Sequence, residues 1–275
     1  VGVVPTVILV RHGRTAANAG GVLAGWTPGV HLDDKGREQA AALGQRMRGV
    51  PLAAVVTSPL ERTRETADAI LAGRDPQPEL HVDERVGEAR YGDWTNQPLK
   101  TLAKDPLWKV VQAHPSAAVF PGPEGEGLAD MSVRAVAAVR DWNQRLSGEG
   151  DPTYAVVSHG DVIKAIIADA LGLHLDAFQR ITIDPCSVTA IRYTDLRPFV
   201  LRQNDTGGDV ATSDGFGFAL AAGALTADGA DDLAIGAPRE DVAGSVDAGA
   251  VTVLRGDPAF GLSPLFSELY DQGDL

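Results

Sequence analysis

The chain has 275 residues with 37 acidic and 24 basic side chains, which gives a formal net charge of −13. No apolar run reaches the ~18–20 residues of a membrane span. A net negative charge argues against nonspecific nucleic-acid binding, which depends on the neutralisation of phosphates by cations. A single cysteine, Cys186, excludes an internal disulfide framework and a zinc site built from thiolates. We therefore expect no membrane and no nucleic-acid partner. Residues 1–10 lack a charged region and a small-residue cleavage pattern, so we also expect no signal peptide and a cytoplasmic location.

The negative charge is concentrated near the carboxyl terminus. Residues 209–275 hold 12 acidic and 2 basic side chains, whereas residues 1–208 have a net charge of only −3 and contain all six histidines. A step in composition of this kind marks a domain boundary. We predict one domain over residues 1–208 and a smaller one over residues 209–275.

Short β-branched runs alternate with longer amphipathic stretches in the first part. This alternation predicts an α/β fold, a three-layer sandwich with a mainly parallel central sheet and helices on both faces. Asp33 is typical of a helix start and Gly172 of a helix end, while residues 120–127 and 204–209 are predicted loops. The predicted strands cover residues 6–10, 53–57, 79–82, 154–158 and 187–193, and the predicted helices cover residues 35–48, 60–71, 128–146 and 162–171.

Polar residues directly after the strands are the candidates for chemistry, because open α/β sheets bind ligands beyond the carboxyl ends of their strands. The first strand runs into Arg11-His12-Gly13 and the fourth into His159-Gly160, while Arg62 follows the second strand. Two guanidiniums and two imidazoles at one sheet edge would form a site suited to phosphoryl oxygens. A neutral imidazole is a competent nucleophile, and a nearby carboxylic acid could protonate a leaving alcohol and then deprotonate water.

Four motifs in this order resemble the histidine phosphatase superfamily, also called phosphoglycerate-mutase-like. They are RHGRT with Asn18 soon after it, SPLERTRETA, GEARYGDW and VVSHGD, and the resemblance covers roughly residues 6–205. It implies that His12 is the nucleophile that becomes phosphohistidine. The residues that it implies for the phosphate pocket are Arg11, Asn18, Arg62, His159 and Gly160.

The resemblance also indicates which residue is the general acid and which loop lies near the substrate. Glu88, four residues before Gly92, matches the position of the family's acid, and Glu84, which also follows the third strand, is the alternative. Where the family has Pro-Gly-Gly-Glu-Ser before a long helix, this chain has PGPEGEG at residues 121–127. That loop borders the substrate side in the family, so we expect its altered shape to affect specificity.

The leading hypothesis is a metal-independent phosphomonoester hydrolase with catalytic residues His12, Glu88 and His159. It would act on a small phosphorylated metabolite and need no cofactor. A phosphoglycerate-type mutase is the first alternative, since it shares the phosphohistidine but returns the phosphoryl group to a second hydroxyl. That reaction needs a water-excluding site and a bisphosphate primer. A non-catalytic interaction protein that acts through the second part is the third hypothesis.

The second part resembles one FG-GAP repeat, the unit of integrin-type β-propellers. The two motifs lie at residues 216–217 and 236–238, so we expect a small β-rich segment like one propeller blade. Its calcium loop retains Asp228 and Asp232, but alanine and threonine stand at the first two ligand positions, and we predict no tight metal site. One blade cannot close a propeller ring. Docking on the first domain, pairing with another chain in a homodimer and partial disorder are all left open.

Overall fold

The computed structural model describes residues 4–147 and 151–207, together with the backbone of four strands between residues 219 and 271. The chain divides into two compact units, Val1–Thr206 and Gly207–Leu275. Each unit is described by itself below. Within the described ranges, no helix combines the length and the apolar character of a membrane span.

A six-stranded sheet forms the centre of the first unit, in the order β3-β2-β4-β1-β5-β6. The first four strands of that order are parallel, while β5 runs antiparallel to β1 and β6 antiparallel to β5. The central strands are apolar on both faces, as is typical of parallel strands covered by helices on both sides. The strands are β1 Thr6–Arg11, β2 Ala54–Thr57, β3 Glu79–Val82, β4 Thr153–Ser158, β5 Val188–Tyr193 and β6 Pro198–Asp205.

Helices cover both faces of this sheet and bury two separate apolar clusters. Successive residues of β1 alternate between them, since Val7 and Leu9 pack in one cluster and Ile8 and Val10 in the other. The first cluster includes residues of α5, α6 and α7, and the second includes residues of α2 and α3. The helices are α1 Ala16–Gly20, α2 Asp34–Met47, α3 Glu61–Leu71, α4 Leu99–Leu102, α5 Pro106–Ala113, α6 Leu128–Arg145 and α7 Gly160–Ala170.

The predicted three-layer α/β architecture is confirmed, and the five predicted strands occur within one residue of their expected limits. Strand β6 was missed, and the prediction of a loop over residues 204–209 was wrong for Asn204 and Asp205, which belong to it. This strand lies at the sheet edge and none of its residues is buried, so it lacks a regular apolar alternation. Helices α1 and α4 span only one turn, too short for a periodic pattern.

Two residues predicted to mark helix ends have the conformations or hydrogen bonds of helix caps. Asp33 caps α2 by accepting a hydrogen bond from the Gly36 N–H at 2.7 Å. Gly172 adopts a left-handed backbone conformation (φ 65°) just after α7. Residues 120–127 contain no helix or strand element, as predicted.

The described strands of the second unit form one antiparallel sheet in the order β10-β9-β8-β7. Sequential neighbours pair throughout, which is the arrangement of a four-stranded propeller blade. Asp228 of the degenerate calcium loop lies outside the described residues, and only the backbone of Asp232 is described. The strands are β7 Ala219–Gly223, β8 Asp232–Ala237, β9 Ala250–Leu254 and β10 Ser267–Asp271.

Candidate active site

The two predicted active-site histidines lie side by side at the carboxyl edge of the sheet. Strands β1 and β4 are parallel neighbours, with Arg11 opposite Ser158 in the register. His12 and His159 follow these two residues directly, and their ring centroids are 5.2 Å apart. Adjacent parallel strands thus bring together two motifs that are 147 residues apart in sequence.

The guanidinium of Arg62 connects both imidazoles. It extends from the first turn of α3 and is only 2% exposed. Its Nε donates to Nε2 of His12 at a distance of 3.3 Å, and its Nη2 lies at the same distance from Nδ1 of His159. Nη2 also donates to the carbonyl of Gly25 at 2.8 Å, which fixes the guanidinium plane. Arg62 therefore holds its charge between the two rings.

The tautomer of His12 is set by the backbone. Its Nδ1 lies 2.7 Å from the carbonyl oxygen of Gly13, so Nδ1 carries the hydrogen and the lone pair lies on Nε2. Burial, and then the charges of Arg62 and Arg11, hold the pKa of His12 well below its usual value. The ring is consequently neutral near pH 7, with Nε2 as a free nucleophile once Arg62 turns to another acceptor.

Gly13 is required because the backbone after β1 lies very close to the start of α2. A Cβ atom at this position would lie 2.7 Å from the carbonyl oxygen of Gly36, closer than carbon and oxygen approach in folded proteins. The Gly13 N–H donates to the hydroxyl of Thr66 at 3.0 Å. The absence of a side chain at Gly13 thus lets the segment after β1 pack against the start of α2.

His159 is fully buried and is held by Ser58, which follows β2. Because Arg62 donates to Nδ1, the hydrogen lies on Nε2, which donates to the Ser58 hydroxyl at 2.8 Å. Burial lowers the pKa of His159 well below its usual value, and the charge of Arg62 adds to this effect. Ser58 was missed as a site residue, although its place directly after β2 is a signal that could have found it.

Two buried N–H donors at this site have no hydrogen-bond partner among the described residues. They are Nε of Arg11 and Nη1 of Arg62. Another nitrogen of Arg11 donates to the carbonyl of Ile183, which fixes the side chain. Leaving charged donors unsatisfied in a buried site costs free energy. An anion that accepts from both guanidiniums would remove that cost.

Asn18 and Gly160 line the same cavity. The Oδ1 atom of Asn18 accepts from the backbone and the hydroxyl of Thr15, both at 3.0 Å, so its amide nitrogen remains to donate to a ligand. Gly160 is the first residue of α7, where backbone N–H groups and the helix dipole favour negative charge. Of the residues expected in the phosphate pocket, four line this cavity: Arg11, Asn18, Arg62 and Gly160. His159 does not line it, because its ring is fully buried and contacts the pocket through Arg62.

Glu88 lies on this cavity, whereas Glu84 is exposed and does not line it. The Glu88 side chain is 12% exposed, and its Oε2 lies 3.8 Å from Nδ1 of His159. Burial raises the pKa of Glu88 to about 7, and the negative charge of Asp161 adds to this, against the opposing effect of Arg62. A carboxyl group with such a pKa can both donate and accept a proton near neutral pH.

The segment that presents Glu88 is held through its backbone by Arg134 of α6. The guanidinium donates to the carbonyl oxygens of Arg85 and Gly87, each at 2.8 Å, and of Glu88 at 2.9 Å. The indole N–H of Trp26 donates to the same Glu88 carbonyl at 2.6 Å. Three carbonyls of one short segment thus converge on a single side chain.

Glu126, in the loop with the unusual sequence, completes this arrangement. It pairs with Arg134, with one contact at 3.1 Å, and it accepts a hydrogen bond from the Arg90 N–H at 2.8 Å. The Glu126 N–H in turn donates to the Arg90 carbonyl at 2.9 Å. The loop over residues 120–127 therefore supports the segment that carries Glu88, a contact that the sequence alone did not reveal.

The cavity has a volume of about 680 Å³ and extends well past the phosphate donors. Its remaining wall is mostly apolar, with a polar group formed by α7 and a following turn. There Lys164 lies 3.3 Å from a carboxylate oxygen of Asp161 and 3.1 Å from Oε1 of Gln179, and Tyr91 donates to Asp161 at 3.1 Å. These four residues were not predicted, although Asp161 belongs to the motif at the end of the fourth strand and Lys164 lies one turn further along α7.

Two further polar side chains near the site have surroundings that do not suit them to the chemistry. Cys186 is buried, and burial raises its pKa to about 12. Arg14 lines the cavity but pairs with Asp33 at 2.9 Å. Among the described residues, no group of three histidine, cysteine or acidic side chains is arranged to hold a metal ion.

Comparison with known proteins places these features in a family. The model of the histidine phosphatase superfamily (branch 1) matches residues 7–206, and that of the FG-GAP repeat matches residues 216–254. A 2,3-bisphosphoglycerate-dependent phosphoglycerate mutase of Gloeobacter violaceus is 31% identical over 192 residues, which are 68% of this chain and 85% of the relative.

Solved structures show the same fold. The YhfR protein of Bacillus stearothermophilus is 31% identical and superimposes with a TM-score of 0.66 over 73% of this chain and 97% of its own. A phosphoserine phosphatase of Entamoeba histolytica, solved with 3-phosphoglyceric acid, is 24% identical, with a TM-score of 0.65 over 73% of this chain and 97% of its own. Phosphoglycerate mutases and phosphatases therefore both occur among its relatives. The chain belongs to the histidine phosphatase superfamily and joins an enzyme domain of that superfamily to an FG-GAP repeat.

Proposed function

We propose that the protein hydrolyses phosphate monoesters through a phosphohistidine at His12. In the first step, Nε2 of His12 attacks phosphorus while Glu88 gives its proton to the departing oxygen, so that an N–P bond forms as the P–O bond breaks. The Arg62 Nε–H, released from His12, and the unpartnered donors of Arg11 and Arg62 would hold the phosphoryl oxygens. The pKa of Glu88 near 7 supports this role.

The second step returns the enzyme to its starting state. Glu88, now a carboxylate, takes a proton from a water molecule, whose oxygen attacks phosphorus and breaks the N–P bond. The lone pair returns to Nε2 of His12, and phosphate leaves. His159 stays neutral and fixed by Ser58, 3.8 Å from Glu88, throughout. Each step uses groups that already lie around the cavity.

The pairing of the remaining cations favours hydrolysis over isomerisation. Beyond the two guanidiniums of the phosphate pocket, the cations lining the cavity in the described part of the chain are Arg14 and Lys164. Arg14 pairs with Asp33 at 2.9 Å and Lys164 with Asp161 at 3.3 Å. A mutase must hold a second anionic group of its primer and substrate. Among the described residues, each cation that lines this cavity outside the phosphate pocket already has an acidic partner.

Incubation with 3-phosphoglycerate and a 2,3-bisphosphoglycerate primer separates the two reactions. We expect inorganic phosphate as the product, with no 2-phosphoglycerate above the uncatalysed level. An aryl phosphate serves as the positive control for activity. Formation of 2-phosphoglycerate faster than phosphate release would show that the protein is a mutase.

Arg134 provides a test of how Glu88 is positioned. We expect Arg134→Ala to lower kcat/KM for an alkyl phosphate about 10–100-fold, because a displaced Glu88 cannot protonate the leaving oxygen. The kcat/KM value for p-nitrophenyl phosphate, whose leaving group departs without a proton in the first step, should change much less. Arg140→Ala is the matched control, since Arg140 lies on the same helix in an exposed pair with Asp169. Equal losses on both substrates would contradict this positioning role.

A further inference from the structure

The cavity is larger than a small phosphorylated acid needs. Its volume of about 680 Å³ lies in the range of pockets that enclose drug-sized ligands. The phosphate donors, which are Arg11, Arg62 and the start of α7, form only part of its lining. The rest of the volume would receive the leaving alcohol, so its walls determine which alcohols fit.

Aromatic and aliphatic side chains form a continuous wall in this second region. The rings of Trp94 and Trp108 lie 6.2 Å apart, and those of Trp94 and Phe120 lie 5.5 Å apart in an edge-to-face contact. Val111, one turn after Trp108 on α5, and Ile181 also line the cavity. Burying apolar surface of a ligand against such a wall stabilises the complex by roughly 25 cal/mol per Å².

The charges of this region do not favour an acidic alcohol. Lys164 is only 19% exposed on its side chain and is neutralised by Asp161, which also accepts from Tyr91. Asp184 adds a further carboxylate to the lining. A carboxylate or second phosphate on the leaving group would meet these acidic side chains, and in the described part of the chain the lining cations outside the phosphate pocket already pair with aspartates.

We propose that the enzyme selects phosphate monoesters of uncharged, ring-bearing apolar alcohols and discriminates against phosphorylated acids. This rests on the proposed hydrolase function. The phosphoryl group would occupy the pocket of Arg11 and Arg62, and the ring would pack against Trp108 and its neighbours. The cation-poor, aromatic wall thus sets the substrate class, while the phosphate pocket sets the reaction.

The test compares three alkyl phosphates that have similar chemistry at the leaving oxygen: 2-phenylethyl phosphate, glycerol 1-phosphate and 3-phosphoglycerate. With the full-length protein, we expect kcat/KM for the phenylethyl ester to exceed that for the glycerol ester by about tenfold or more. We expect 3-phosphoglycerate to be the slowest. Hydrolysis of all three at similar rates would overturn the selectivity but leave the hydrolase function standing. If no ester is hydrolysed, the hydrolase function fails, and the selectivity fails with it.

A second experiment, with a variant of Trp108, tests whether the aromatic wall of the cavity causes this selectivity. Trp108→Ala should reduce the preference for the phenylethyl ester about tenfold, because kcat/KM for that ester should fall much more than kcat/KM for glycerol 1-phosphate. Phe199→Ala removes a half-exposed aromatic ring of β6 that does not line the cavity, and it should leave the preference intact. An unchanged preference in Trp108→Ala would overturn the assignment. The wild-type comparison stands whether or not this variant folds.

Discussion

Replacing His12 with alanine is expected to lower the turnover of an aryl phosphate by at least about 10⁴-fold, because the covalent route is lost. Arg11 and Arg62 would remain to bind the phosphoryl group, so the loss should lie in kcat more than in KM. The fold should persist, since His12 lines the cavity and, among the described residues, its ring hydrogen-bonds to the Gly13 carbonyl and to Arg62. Steady-state kinetics with far-ultraviolet circular dichroism would measure both.

His114 offers a matched control for this substitution. It is also a histidine, but its side chain is 73% exposed and does not line the cavity. His114→Ala should therefore retain wild-type turnover. Activity of His12→Ala within about tenfold of the wild type would exclude His12 as the nucleophile.

The second large effect is expected in the pH profile. Glu88 must be protonated to act as the acid, and its pKa is about 7, so kcat/KM should fall about tenfold per pH unit above pH 7. His12 must be neutral to attack phosphorus. Because its pKa lies well below 6.5, the titration of His12 should not lower kcat/KM between pH 6.5 and 7. The profile for hydrolysis of an alkyl phosphate should therefore be limited on its alkaline side by Glu88.

Glu88→Gln should remove this alkaline limb and lower kcat/KM for an alkyl phosphate by about 10²–10⁴-fold. Glu84→Gln is the control, because Glu84 lies four residues earlier but is exposed and away from the cavity. It should leave both the rate and the profile unchanged. If kcat/KM of Glu88→Gln still fell above pH 7, a group other than Glu88 would be responsible for the alkaline limb.

Much of the phosphate pocket could be predicted because it depends on strand order and local motifs. His12 and His159 directly follow parallel strands, and such ends converge at one sheet edge whatever lies between them in sequence. Arg62 follows the neighbouring strand by the same logic. The need for glycine at position 13 is different, because its backbone passes close to the carbonyl of Gly36, 23 residues further along the chain, and the local sequence does not show this contact.

Features that depend on long-range side-chain contacts could not be predicted in this way. Arg134 lies 46 residues from Glu88, and nothing in its own helix indicates that it binds the Glu88 carbonyl. The contact between Lys164 and Gln179 likewise depends on how α7 packs against the turn that follows it. Strand β6 lacks a pattern because an edge strand with exposed faces does not need one.

The most direct test of the mechanism is to trap the phosphoenzyme. Glu88→Gln mixed with p-nitrophenyl phosphate should release p-nitrophenol in a stoichiometric burst and then stall, because no base activates the second-step water. After quenching in alkaline denaturant, mass spectrometry should locate the phosphoryl group on the peptide that contains His12. Phosphate on any other residue, or steady turnover without a phosphorylated protein, would contradict a phosphohistidine at His12.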